Sequence, residues 1–361
     1  MRSGWLTQGP RAAEFERTVA DYVGARYAVA VSNGTAALHL ACAAAGLGDG
    51  DVLVTSPNTF VASANCAHFV GARAEFADID ATSLNMDPEQ LGRRCAVLER
   101  VKAIVPVHFA GLPCDMPSIR AVADRTGARI IEDASHALGA TYADMTVFSF
   151  HPVKLMATGE GGMVTTNDEV LYRDLLRLHS HGINKLDDAY AVPEQAYTDG
   201  VPNVWYYEMK ELGFNFRLTD LQCALGLSQF AKLDRFLERR RALALRYDRL
   251  LAGVPYVRPA QPAARERNAH HLYVVRIDFD ALGVSRNAIM NGLRERSIYC
   301  QVHYIPVPRQ PYYRRRGHRP ADYPAAEGYY REALSLPLYY TLSDVQQDYV
   351  VAQLKALLRC A

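Results

Sequence analysis

The sequence has no Cys-x-x-Cys pair, no excess of charge of either sign and no long apolar run. Its seven cysteines stand apart at positions 42, 66, 95, 114, 223, 300 and 360. An odd number of scattered thiols frames neither a disulfide scaffold nor a metal site, and points to reduced, buried thiols and a cytoplasmic protein. Forty Lys and Arg against 39 Asp and Glu give a net charge of +1. That leaves no field to gather nucleic acid or a membrane surface. The basic clusters at 238–241 and 314–317 read as solvated faces, although local positive charge can still serve a polyanionic small molecule. No apolar stretch reaches the ~18 residues of a membrane span. The opening MRSGWLTQGPRAAEFE lacks the apolar centre of a signal peptide. No Gly-x-Gly-x-x-Gly follows the first strand-like run, which argues against a nicotinamide-dependent oxidoreductase.

What is present is an alternation. In the first half, helix-like segments (PRAAEFERTVADYVG, GTAALHLACAAAGLG, FVASANCAHFVG, DMPSIRAVADRTG) alternate with short apolar strand-like ones (YAVAVS, DVLVTS, AEFADID, VKAIVPVHF, ARIIEDAS). The strands are apolar on both faces, as buried parallel strands are. The pattern predicts an α/β layer with a mainly parallel sheet. One long helix is expected from Leu218 to about Gly253. The proline-bearing stretch from Gly253 to Asn268 reads as a boundary, followed by a smaller α+β unit. The expected division is a large domain at 1–250 and a small one at 251–361.

Three stretches carry chemistry. AVSNGTAALHLA places Ser32, Gly34 and Thr35 between a strand and a helix, where free N–H groups make either an anion cradle or a capped helix start. IIEDASHALGA ends an apolar strand in Glu132-Asp133, at the sheet edge where ligands bind in open α/β folds. A carboxylate there can hold a cationic ring nitrogen, or simply cap a loop. FSFHPVKLMATGEGG places Ser149, His151 and Lys154 just past another strand. A lysine in so uncharged a setting loses its proton easily and then adds to an aldehyde; the alternative is a lysine that snorkels to the surface. Together, an anion cradle, a strand-end acid and an interior lysine meet the three needs of pyridoxal phosphate. Phe60 in SPNTFVASAN offers a face for its ring, or packs in the core.

The chain resembles the DegT/DnrJ/EryC1/StrS family of sugar aminotransferases, within the fold-type I class of pyridoxal-phosphate enzymes. The resemblance is carried by LTQGPRAAEFERTVADYVGARYAVAVSNGTAALHLA, SPNTFVASAN, DASHALGA, TVFSFHPVKLMATGEGGMVTTND, LRLHSHG and ELGFNFRLTDLQCALGLSQ, between Leu6 and about Gln229. It implies a seven-stranded-type, mainly parallel sheet. It implies that Lys154 binds the cofactor and moves the proton, and that Asp133 pairs with the pyridine nitrogen. Gly34, Thr35 and Ser149 would hold the phosphate, Phe60 would stack on the ring and His136 would lie near the ring hydroxyl. Asn215, and with it Arg217, would reach into the site of a partner subunit, making a homodimer with shared sites. The family's dehydratases carry histidine at the lysine position, so lysine here favours transamination; a regulatory member would lack the lysine or the acid. After HALGATY the family's usual hairpin is short here, which leaves Tyr142 to Asp144 without an assigned role.

Within the family, LTQGP with Thr7, SFHPVK, WYYEMKELGFNFRLTDLQCALGLSQ and VHYIPVPRQPYY look most like enzymes that aminate C4 of a UDP-4-keto-6-deoxy-N-acetylhexosamine, as for pseudaminic acid. Glutamate is the implied donor and a nucleotide sugar the acceptor. Thr7, Arg217, His303 and Tyr304 are the implied substrate contacts, the last two beside arginines suited to a diphosphate. A dTDP- or GDP-linked keto sugar, at C3 or C4, is the rival substrate.

Overall fold

The computed structural model describes residues 4–139, 143–185, 190–262 and 265–359. Helix α1 (Pro10–Val23) starts with a proline in its first turn and ends where Gly24 takes a left-handed φ of 70°, a conformation that glycine adopts without a Cβ penalty. Strand β1 (Tyr27–Val31) leads into α2 (Gly34–Ala44), whose first turn is capped by the Asn33 side chain accepting from the Ala36 N–H at 2.8 Å. Then follow β2 (Val52–Thr55), α3 (Ala62–Phe69), β3 (Arg73–Phe76), α4 (Pro88–Ala96), β4 (Val101–Val105), α5 (Met116–Thr126) and β5 (Arg129–Asp133). Strands β6 (Met145–Ser149) and β7 (Gly162–Thr166) enclose the lysine segment, and α6 (Glu169–Leu178) follows.

These strands form one seven-stranded sheet in the order β1-β7-β6-β5-β4-β2-β3. Only β7 runs against the others, antiparallel to both β1 and β6. The mainly parallel, seven-stranded sheet of the sequence reading is therefore correct. Helix α2 packs on the sheet through Ala37, Leu38, Leu40, Ala41 and Cys42, all buried with Val29, Val31, Val147 and Val164 in one core. Each fully buried leucine there contributes roughly 1.5–3 kcal/mol relative to exposure.

Two expectations change. The helix from Leu218 is in fact two, Asp220–Phe230 and Leu233–Leu251. The break at Ala231–Lys232 redirects the chain so that Leu233 and Leu237 are buried beside Leu155 and Ala269. The proline-bearing stretch after Gly253 is not wholly connection: Val257–Pro259 is the edge strand of a three-stranded antiparallel sheet with Tyr273–Ile277 and Ala333–Leu336. A second core joins this sheet to helices Leu233–Leu251, Arg286–Glu295 and Asp344–Arg359, with Tyr247 stacked on Tyr273 at 4.7 Å. No helix among the described residues is long and apolar enough to cross a membrane.

Candidate active site

The carboxyl ends of β1, β5 and β6 meet at one edge of the sheet. Gly162, the first residue of β7, pairs with Val31 on one side and Ser149 on the other. A Cβ at Gly162 would come within 2.6 Å of the Asn33 carbonyl, and one at Gly34 within 2.9 Å of Ser149 Cβ. The start of α2 is thus pressed against Ser149 with room for backbone only, and Thr35 stays exposed beside it. Free N–H groups at a helix start, next to two hydroxyls, suit an anion.

Asp133 ends β5 and is buried. Its Oδ2 accepts from Ser63 Oγ at 2.7 Å and its Oδ1 from the Ser135 N–H at 3.1 Å. Glu132, its neighbour, faces the opposite side of the strand. There it is held by His108 Nε2 at 2.6 Å and Thr146 Oγ1 at 2.9 Å, with His108 and Glu132 both fully buried. Of the strand-end pair, Asp133 therefore faces the site and Glu132 ties strands together.

Lys154 lies in the loop between β6 and β7. The loop is closed by Phe150 N–H to the Gly161 carbonyl at 2.8 Å and Thr158 N–H to the Phe150 carbonyl at 2.9 Å. Lys154 is partly buried, and burial pushes its ammonium down to about 8 while Asp133 pulls the other way. Burial, with the same lysine charge added to it, pushes His303 down to about 4 and holds His136 well below the usual imidazole range. Asp133, Lys154, His136, His303 and Tyr304 therefore share one electrostatic neighbourhood. His136 accepts from the Ala110 N–H and meets Tyr304 Oη at 3.0 Å, and His303 bonds Ser335 Oγ at 2.8 Å. Phe60 is 57% exposed, its ring 6.3 Å from that of Tyr304.

Thr7, Asn215 and Arg217 are anchored apart from this cluster. Thr7 pairs with Thr219, Asn215 with Ser180 and Arg217 with Val31, the last residue of β1. The Arg217 guanidinium donates to Ser180 Oγ at 2.8 Å, and Asn215 is exposed. Tyr142 lies outside the described residues. Asp144 accepts from the Ile130 N–H at 2.7 Å, near the amino-terminal end of β5 and away from the lysine.

Sequence reasoning missed Ser63, Asn58 and His271. Ser63 holds Asp133, Asn58 Oδ1 accepts from the Tyr304 N–H at 3.4 Å, and the His271 ring lies 4.3 Å from that of His136. The first two stand in SPNTFVASAN, a stretch valued only for Phe60, and His271 in a His-His pair before a strand.

Residues 1–355 match the model of the DegT/DnrJ/EryC1/StrS aminotransferase family. The chain is 42% identical to the spore coat polysaccharide biosynthesis protein SpsC of Bacillus subtilis, covering 100% of this chain and 93% of that protein. Among solved structures, PseC of Helicobacter pylori, an aminotransferase involved in the biosynthesis of pseudoaminic acid, is 30% identical. It superposes with a TM-score of 0.89 over 100% of this chain and 94% of its own. The PLP-form of Spr1654 from Streptococcus pneumoniae is also 30% identical, with a TM-score of 0.87 over 99% of this chain and 94% of its own.

Proposed function

The chain belongs to the DegT/DnrJ/EryC1/StrS aminotransferase family and is a pyridoxal-phosphate-dependent sugar aminotransferase, and from that premise we propose that it transfers the amino group of glutamate to the C4 ketone of a UDP-4-keto-6-deoxy-N-acetylhexosamine. The product is a UDP-4-amino-4,6-dideoxy sugar of the pseudaminic acid type. The observation that carries the substrate is the likeness to PseC over the whole chain.

The residues of the cleft fit the cofactor. Their donor set holds an amine largely neutral above pH about 8, a buried carboxylate and a helix start against Ser149. When bound, pyridoxal phosphate supplies the electron sink for transamination. Lys154 would hold the cofactor through its Nζ and, as a neutral amine, would move the proton that transamination shifts. Asp133, fixed by Ser63 and the Ser135 N–H, places negative charge for the ring nitrogen. Gly34, Thr35 and Ser149 hold the phosphate, and Phe60 and His136 flank the ring. His303 and Tyr304 contact the sugar nucleotide, with Thr7 and Arg217. Asn215 acts across a homodimer, in the cytoplasm where nucleotide sugars and glutamate are found. Glutamate leaves as 2-oxoglutarate before the keto sugar is aminated, so the kinetics are ping-pong.

The test is a panel of UDP-, dTDP- and GDP-linked keto sugars with glutamate, read by mass spectrometry. The expected product is the UDP-linked 4-amino sugar. Efficient amination of a dTDP-linked 3-keto sugar, with UDP-4-keto-6-deoxy-N-acetylhexosamines ignored, overturns the substrate and leaves the cofactor chemistry standing.

A further inference from the structure

His136 Nε2 and Tyr304 Oη lie 3.0 Å apart, and either atom could hold the hydrogen between them. The other side of the imidazole decides. The Ala110 N–H donates to His136 Nδ1 at 3.2 Å, so Nδ1 bears the lone pair. A neutral imidazole has one hydrogen, which must then be on Nε2. An imidazolium would set one N–H against another at Nδ1, and burial, with the Lys154 charge after it, also opposes it. His136 Nε2–H therefore donates to Tyr304 Oη. The phenol accepts on that side, and its own hydrogen must point elsewhere. The described residues give that hydroxyl no second partner.

The ring cannot easily turn over to reverse this order. Ala110 holds a left-handed φ of 57°, and its carbonyl accepts the His271 N–H at 2.9 Å. The His271 ring closes one side of His136 at 4.3 Å. Buried Arg240 fixes that turn through the His270 and His271 carbonyls, each at 3.1 Å. The Tyr304 ring lies nearly parallel to that of His136, at 22°.

We propose that Tyr304 is a fixed hydrogen-bond donor to an oxygen that carries negative charge in the Lys154 site, and that His136 is the positioning residue that gives it this direction. The proposal rests on the reading of Lys154 as the cofactor lysine. The acceptor is an oxygen of one chemistry with two sources, the phenolic oxygen of the cofactor or the carbonyl oxygen of the keto substrate. A donor preset at such an oxygen needs no reorientation during reaction.

The first arm reads the tautomer in the holoenzyme by 15N NMR of labelled histidine, with His136→Gln giving the assignment. His136 Nδ1 should show the shift of an unprotonated nitrogen at neutral pH; a protonated Nδ1 overturns the proposal. The second arm is Tyr304→Phe, which keeps the ring and removes the donor. If the acceptor is the cofactor's oxygen, that oxygen becomes more basic. The pH midpoint of the visible band should then rise by about 1–2 units, the worth of a hydrogen bond to a charged group. If the acceptor is the substrate's oxygen, the midpoint and the glutamate half-reaction stay unchanged. Turnover of the keto sugar then falls about 10- to 100-fold. A Tyr304→Phe variant that shows neither the midpoint shift nor the turnover loss overturns the proposal. In the third arm, His136→Gln offers an amide oxygen to Ala110 and an NH2 to Tyr304, and should shift the midpoint or the keto-sugar turnover less than His136→Leu does. His136→Leu should behave like Tyr304→Phe; a Leu variant like the parent removes His136 from the scheme. Borohydride that fails to fix cofactor at Lys154 would sink the underlying reading separately, since the same 15N measurement on the apoprotein still reads the His136 tautomer.

Discussion

Ser63 donates its hydroxyl hydrogen to Asp133 Oδ2 at 2.7 Å, across 70 positions of sequence. Its hydrogen being used there, Ser63 Oγ must accept from Thr59 Oγ1 at 2.8 Å, and all three side chains are buried. A relay of two hydroxyls thus ends on the carboxylate that faces Lys154, and a hydrogen bond to a charged group is worth about 1.5–3 kcal/mol. Asp133→Asn keeps the shape and removes the charge. Turnover should fall about 10²- to 10³-fold, as for loss of a preset electrostatic partner, with a much smaller change in cofactor affinity. Ser63→Ala should have a smaller effect, roughly tenfold. Single-turnover kinetics beside equilibrium dialysis measure both, and near-normal turnover in Asp133→Asn would make the acid a structural cap.

Lys154 sets a pH dependence with a definite sign. Its ammonium is lowered to about 8 by burial, against the countering charge of Asp133. Only the neutral amine adds to an aldehyde, and the neutral fraction grows as pH rises through that value. Capture of pyridoxal phosphate by the apoprotein should therefore speed up through pH about 8 and level off above it. A solvent-exposed lysine would continue to gain towards about 10.4. Stopped-flow absorbance checks the profile, and borohydride followed by peptide mapping should locate the label at Lys154. Lys154→Ala should lose turnover by several orders of magnitude. A label on another lysine would refute the assignment.

Much of this arrangement is legible from local sequence, and the rest is not for a physical reason. Pro10 and Gly24 mark the ends of α1 because both act on their own backbone. The apolar runs ending at Asp133 and Ser149 announce buried strands, and their carboxyl ends follow from the parallel order. The break at Ala231–Lys232 carries no glycine or proline, and only the burial of Leu233 against distant residues explains it. Ser63, Asn58 and His271 act on Asp133, Tyr304 and His136 through space, so no periodicity reveals them. Glu132 and Asp133 are adjacent and chemically alike; the pleat sends one to His108 and the other to the site.

The close approach at the start of α2 makes two glycines unequal. At Gly34 an added Cβ meets Ser149 Cβ at 2.9 Å and Oγ at 3.1 Å; Oγ can rotate away, and Cβ clears with a shift of a few tenths of an ångström at the end of β6. At Gly162 it meets the Asn33 carbonyl oxygen at 2.6 Å and the Gly34 nitrogen at 2.9 Å, which are backbone atoms. Gly162→Ala should therefore displace the turn itself and cost about 1–3 kcal/mol of stability, as overpacking does. Gly34→Ala should cost less stability while weakening cofactor retention. Thermal melts and cofactor release rates should separate the two; equal melting points would mean the turn yields freely.

The proposed homodimer with shared sites makes a quantitative demand on mixed subunits. Asn215 is exposed in the chain and anchored by its backbone to Ser180, two residues before the antiparallel bridge of Arg217 with Val31. If its side chain completes the neighbour's phosphate site, Asn215→Ala and Lys154→Ala each disable both sites of their own dimers. In a mixed dimer both lesions fall in one site and the other site is intact. Activity should then reappear on mixing, up to about half of the parent value per mixed dimer, by symmetry alone. Differential tags purify the mixed species and confirm exchange. Full exchange without any recovered activity would mean that each site is built from a single chain, and Asn215 would lose its assignment while Lys154 kept its own.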